Sequence, residues 1–262
     1  MYYLEEDKNS IYSLLASNPL LHVYSIGDLD LPFWKNSSYF IDVENQSYIH
    51  VYQTSLRTSL IAYAPKTTCI KALPKDLYEI LPSQFIAQIT DVFIPHFQKW
   101  FDLNFVGGYF KMGIKKGEQL PPSVKYPVTL LKMESQDLLE QFYALHYPNH
   151  SFEPYLLTIH PFVGIFENDK LICAGGIHVY SPTYRVAAVA SIATDTNYRG
   201  RGLAQSLVYT LCQKLFENVQ YVGLNVLENN LPAIKCYSKI GFYLVGDHKK
   251  FICNKKVPFS AN

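Results

Sequence analysis

No two cysteines in this chain form a C-x-x-C pair, and the five present, Cys69, Cys173, Cys212, Cys236 and Cys253, are odd in number and widely scattered. That pattern argues against a disulfide framework and against a thiolate metal site, so no metal is expected and the thiols read as those of a cytoplasmic protein. Long apolar runs are missing as well. None approaches the roughly 20 residues that span a bilayer, and no membrane partner is expected. The opening stretch, Met1 to Asp7, has neither the basic region nor the apolar core of a secretory signal. Charge of one sign is lacking too: 23 Lys and Arg stand against 22 Asp and Glu, which leaves no basic excess for nucleic acid and no acidic tail. What the chain does have is apolar content, 48% hydrophobic and 15% aromatic, enough to fill a sizeable core. Its 262 residues suit two small domains.

One turn is built for an anion. Val186 to Ala193 is small, apolar and tolerant of β structure, and reads as a strand buried on both faces. Downstream, Leu203, Leu207, Val208, Leu211 and Leu215 recur at helical spacing and make a core-facing stripe. Gly200 and Gly202 lie between. Without a Cβ they let the backbone approach a ligand, and the first N–H groups of the helix have no intrahelical partner. Those amides, at the positive end of the helix dipole, form a phosphate site to which Arg199 and Arg201 add charge. The dinucleotide fingerprint G-x-G-x-x-G fails because position 205 is Gln, and G-x-x-x-x-G-K-[S/T] is absent. The pattern that fits is R/Q-x-x-G-x-G/A, met by Arg199, Gly202 and Ala204.

A second motif follows. Leu224 to Leu227 reads as a short strand, Asn230 as a helix N-cap, Pro232 as a first-turn residue whose missing N–H costs nothing, and Gly241 as the helix end. Tyr237 lies about two helical turns beyond Asn230 and so faces the same side. The pattern N-x-x-A-x-x-x-Y-x-x-x-G-F is met by Asn230, Ala233, Tyr237, Gly241 and Phe242. The two motifs, in this order with one helix and one strand between them, resemble the GNAT acetyltransferase superfamily, whose pyrophosphate loop binds acetyl-CoA. The resemblance implies an α+β fold, a mixed and mostly antiparallel sheet flanked by helices, with one parallel strand pair that splays to admit the cofactor.

The rest of the chain is read around these motifs. A helix is expected around 6–17 and a short one over 20–29, then strands near 38–43, 47–53 and 58–64. The block 75–102 reads as two helices limited by Pro82 and Pro95, and Asn104 to Ile114 as a strand. Charge, glycine and paired prolines from Lys115 to Ser123 mark a boundary. Beyond it come a strand over 128–133, a helix over 136–144, a loop over 147–160 with room for one short helix, a hairpin across Asn168-Asp169, and a strand over 185–194. The long helix, the strand at 221–227, the helix at 232–239 and a last strand near 242–252 complete the order. The segments around Gly164, Gly175-Gly176, Arg185 and Tyr198 to Ala204 look like the glycine N-acyltransferase-like branch. That likeness implies a degenerate GNAT-like lobe over 1–115, a linker over 116–124, and a catalytic N-acetyltransferase domain over 125–262.

Acyl transfer from a thioester to an amine needs a cradle for the CoA diphosphate, a donor for the oxyanion, and groups that move protons. By resemblance, the backbone from Gly200 through Arg201, Gly202, Leu203 and Ala204 to Gln205 is the cradle. The strand end Ile192, Ala193 and Thr194 pairs with the pantetheine arm and polarises the carbonyl. Asn230 bonds the pantetheine, and Tyr237 is the general acid. Many relatives carry a glutamate five residues before the motif Asn, and this chain has Asn225 there, which accepts no proton at neutral pH. His178 is the first substitute as base, followed by Glu153 and Glu228, with a water chain as a further route. Asn230 also reads as a plain cap, Tyr237 as a core aromatic, and His178 as a structural or substrate-lining residue. The expected partner is a small-molecule or peptide amine, and the expected assembly a monomer or homodimer. A CoA-binding sensor without turnover is the competing function.

Overall fold

A computed structural model describes residues 1–118, 125–148, 152 and 154–256; positions 119–124 of the expected linker and Glu153 lie outside them. The chain begins with β1 (Tyr3–Glu5), α1 (Lys8–Leu15), α2 (Val23–Gly27), β2 (Ser37–Asp42), β3 (Ser47–Gln53) and β4 (Thr58–Tyr63). It continues through α3 (Lys75–Ile80), β5 (Gln84–Ile89), α4 (Ile94–Trp100), β6 (Phe101–Lys115), β7 (Thr129–Leu131), α5 (Gln136–His146) and α6 (Leu156–Ile159). It ends with β8 (Phe162–Glu167), β9 (Lys170–Ser181), β10 (Val186–Thr194), α7 (Leu203–Leu215), β11 (Tyr221–Leu227), α8 (Leu231–Ile240) and β12 (Tyr243–Lys255).

These elements form two compact units, each built from discontinuous stretches. The first takes Met1–Asn18, Asp28–Phe110 and the residues from Gly246 on; the second takes Pro19–Gly27 and Lys111–Val245. In the first, β1, β2, β3 and β4 pair antiparallel in turn, β4 pairs parallel with β5, and β12 closes on β5 antiparallel. Its core packs Phe85, Phe93, Phe97 and Phe101 with aliphatic side chains such as Leu60, Leu77 and Ile89. In the second, β7, β8, β9 and β10 pair antiparallel, β10 pairs parallel with β11, and β6 lies on the far side of β11. The first unit therefore receives a strand, β12, from the far end of the chain, and the second a helix, α2, from the N-terminal part.

Local chemistry explains most boundaries. The Asp7 carboxylate accepts the N–H groups of Asn9 at 3.1 Å and Ser10 at 3.2 Å, which caps α1, and Ile11 and Leu15 bury one face of that helix. The β8–β9 hairpin turns on Asn168 and Asp169, with φ of +48° and +62°, values these two side chains tolerate better than most. In α7, Leu203, Leu207, Val208, Leu211 and Leu215 are all buried, as their spacing requires. The block 75–102 departs from the two helices expected there. Between α3 and α4 it holds the strand β5, in which Phe85, Ala87 and Ile89 are buried while Gln84, Ile86 and Gln88 are not. Six residues after Pro82 are too few to display a period of two against flanking helical patterns, yet the parallel ladder to β4 fixes them as a strand.

Lys111, in the second unit, is 6% exposed, and its Nζ donates to the Leu21 carbonyl at 3.1 Å. Burial lowers its pKa from 10.5 to about 8. Between those values the unfolded chain binds the extra proton, so the stability cost of burying this amine is full below pH 8 and vanishes as pH rises through the ordinary lysine value. Lys111→Met is therefore expected to be more stable than wild type at pH 7, with its advantage shrinking from pH 8 upward. Urea midpoints measured for both proteins check this, since buried thiols and phenols titrate alike in the two; a constant difference would mean that Lys111 keeps its charge at no cost.

Candidate active site

The parallel pair at the heart of the second unit is short. Val186, Ala187 and Ala188 oppose Tyr221, Val222 and Gly223, and there the register ends although β10 runs on to Thr194 and β11 to Leu227. Two bulges flank the divergence. On β9, Val179 and Ile177 oppose consecutive residues of β10, so His178 is the extra residue of a bulge. On β10 the register shifts again between Ala190 and Ala193, where Ser191 takes a φ of +58°. Bulges bend a strand and re-aim its side chains, and both of these sit beside the mouth. Tyr143 Oη donates to the Ser191 carbonyl at 2.8 Å. Ile192 and Thr194 are half-buried along the mouth, and Ala193 is buried.

The turn after β10 is held by a buried carboxylate. Asp195 accepts the Asn197 N–H at 2.9 Å and Lys170 Nζ at 2.7 Å, and His146 Nε2 lies 3.7 Å away. The Lys170 hydrogen bond, followed by that from Asn197, keeps this carboxyl below the usual range. Gly200 and Gly202 then take φ of +79° and +86°, and a Cβ at either would meet nothing within 4 Å. The requirement there is left-handed backbone, not space. Gly202 caps α7 without a side chain, and the first bond of the helix runs from Ser206 N to Gly202 O at 3.0 Å. The amides of Leu203, Ala204 and Gln205 thus precede any intrahelical acceptor. Beside them Arg199 Nε donates to Thr194 O at 3.3 Å, and the Arg201 guanidinium lies 4.8 Å from the Tyr198 ring. Both arginines are exposed. Uncommitted amides at a helix start, flanked by two cations, suit a diphosphate.

At the end of β11, Asn230 Oδ1 accepts the Ala233 N–H at 3.2 Å and caps α8, leaving its amide nitrogen to donate elsewhere. Tyr237 is 8% exposed. Burial, with Cys236, Tyr147, Cys173 and Tyr24 nearby, pushes its phenol above the ordinary tyrosine value, so the proton stays on at neutral pH. His178 is half-buried, its ring 5.8 Å from that of Tyr24. Asn225 is half-buried and Glu228 exposed. The loop residues and the mouth of β10 therefore form one group and Tyr237 with its neighbours a second, while Tyr24 packs against His178. Sequence reasoning had no means to find Tyr24 or Tyr143, because neither lies near a motif and only the tertiary packing brings them here. An open cavity of about 440 Å³, lined by Leu130, Lys132, Glu134, Leu157 and His160, contains none of these residues.

Among the described residues no group of three or more His, Cys, Asp or Glu side chains could hold a metal ion, and no helix is long and apolar enough to cross a membrane. The fold is that of the GNAT acetyltransferases: a mixed, mostly antiparallel sheet flanked by helices. Residues 130–242 match the acetyltransferase (GNAT) family. The structure is similar to that of a Drosophila protein (TM-score 0.66, 11% identity, covering 97% of this chain and 98% of that one). It is also similar to a GCN5-related N-acetyltransferase from Sphaerobacter thermophilus (TM-score 0.57, 14% identity, 97% and 95% covered). A third, an acetyltransferase of the GNAT family from Colwellia psychrerythraea, gives a TM-score of 0.53 at 14% identity, with 97% and 100% covered. No curated protein matches the chain in sequence.

Gly202→Ala forces a left-handed backbone on an L side chain and is expected to cost about 1–2 kcal/mol of stability. A urea midpoint equal to that of wild type would show that the loop can relax out of this conformation.

Proposed function

We propose that the chain is an acetyl-CoA-dependent N-acyltransferase that passes an acetyl or short acyl group to a small-molecule or peptide amine by direct attack in a ternary complex. The observation that carries this reading is the loss of β10–β11 pairing after Ala188, with the uncommitted amides of α7 at the rim of the gap. Acetyl-CoA would supply the acyl group already activated as a thioester. The backbone from Gly200 to Gln205, with Arg199 and Arg201, would hold the diphosphate. The β10 edge at Ile192, Ala193 and Thr194 would take the pantetheine as an added strand, and Asn230 would bond it through its free amide nitrogen. Tyr237, kept protonated by burial, holds a proton at Oη for the departing thiolate. His178 at its bulge is the residue proposed to take the proton from the amine, since Asn225 cannot.

We assign the chain to the glycine N-acyltransferase-like branch, with residues 1–115 as a degenerate lobe, 116–124 as linker and 125–262 as the catalytic part, working in the cytoplasm as a monomer or homodimer. The repeated order in the two units, four antiparallel strands and then a parallel one, supports the paired-lobe reading. The amide at position 225 favours one alternative, a CoA-binding sensor without turnover. Release of free thiol from acetyl-CoA in the presence of an amine panel separates the two. Tyr237→Phe is expected to lower turnover about 100-fold while leaving CoA affinity, measured by calorimetry, within about twofold. An unchanged rate removes Tyr237 from proton transfer, and a wild-type protein that takes up no CoA ends the reading altogether.

A further inference from the structure

The second unit includes a stretch far from both motifs, Pro19–Gly27, and its helix α2 packs on β9, β10 and β11. Two glycines allow that close approach. A Cβ on Gly223 would come 2.7 Å from Val23 Cγ2, and a Cβ on Gly27 would collide with Val179 Cγ1. The helix therefore crosses from β11 to β9 in direct contact, at the level where Gly223 makes the last pair with β10.

The direction of the β11 amides shows what Tyr24 does there. Tyr221 N–H points toward β10, because it donates to the Arg185 carbonyl at 3.1 Å. Every second amide along a strand faces the same neighbour, so those of Gly223 and Asn225 point the same way. Asn225 N–H is then the first on that edge that β10 no longer meets. It is directed at the hydroxyl oxygen of Tyr24. The same side chain approaches the bulged His178, with ring centroids 5.8 Å apart.

We propose that Tyr24 is a positioning residue of the acyl-transfer site, wedged between the parting strands, where it fixes the β11 edge and holds the face of His178 against which the acceptor amine docks. The acceptor role rests on the acyltransferase reading; the hold on the strand edge does not. The pyrophosphate loop lies at the start of α7, apart from the α2 contacts, so acceptor binding should respond to Tyr24 and cofactor binding should not.

The test compares wild type with Tyr24→Phe, which keeps the ring and removes the hydroxyl. Exchange of the Asn225 amide is followed by NMR, CoA affinity by calorimetry, and thiol release with acetyl-CoA and 2-phenylethylamine, glycine, spermidine or an alanine-led tripeptide. The expected result is exchange at Asn225 faster by about tenfold, an acceptor KM raised about tenfold, and a CoA Kd within about twofold of wild type. Unchanged exchange, or an acceptor KM and CoA Kd that rise together, overturns the proposal. Wild-type protein that binds CoA but acylates none of the four amines overturns the acceptor role together with the enzyme reading; that failure is seen before any variant is compared, while the exchange measurement still decides the hold on Asn225.

Discussion

Two neighbouring strands that stop pairing inside a protein expose backbone groups that must find partners, since a buried amide or carbonyl without one costs about 1–3 kcal/mol. The second unit depends on how this is managed at the parting of β10 and β11. On one strand the Ser191 carbonyl takes the Tyr143 hydroxyl; on the other the Asn225 amide meets the Tyr24 hydroxyl. Phenols suit the task because they reach far from their own backbone and act as donor or acceptor as the edge demands. The bulges at His178 and Ser191 belong to the same solution, because they turn the strands away from each other without breaking the β9–β10 ladder.

Charge is divided accordingly. The groups that raise the Tyr237 phenol beyond the effect of burial are thiols and other phenols, none of them an ion at neutral pH. The charged groups, Asp195 with Lys170, and Arg199 with Arg201, gather at the turn before α7. The proposed dianionic diphosphate would need that outer charge. The inner part lacks such charge, and a neutral environment keeps the Tyr237 phenol protonated and gives each polar contact more weight than it would have in water.

Both motifs were legible because their signals are local. Gly202 must be left-handed one residue before α7, and Asn230 must cap α8 three residues before Ala233; each relation fits within a turn of chain. The hairpin at Asn168-Asp169 and the stripe of α7 were readable for the same reason. What escaped depends on distant partners. β5 is a strand because β4 and β12 flank it, and β12 comes from the other end of the sequence. Tyr24 enters the site because Gly223 and Gly27 carry no side chain, and no pattern within Pro19–Gly27 announces that. The short helix there was visible, but its destination was not.

The asparagine at position 225 gains a physical rationale from this setting. The edge contact to Tyr24 uses the backbone amide, so it is indifferent to the side chain carried there. A carboxylate at the same half-buried position, beside the Tyr24 phenol, would be raised in pKa by desolvation and would hold its proton more tightly. It would be a weaker acceptor of protons than its type suggests, and its charged form would be costly to bury. An amide avoids that cost and keeps the interior neutral. Under the proposed function, proton removal would fall to another group, and His178, set out of register by its bulge and half-buried, is the one proposed for it.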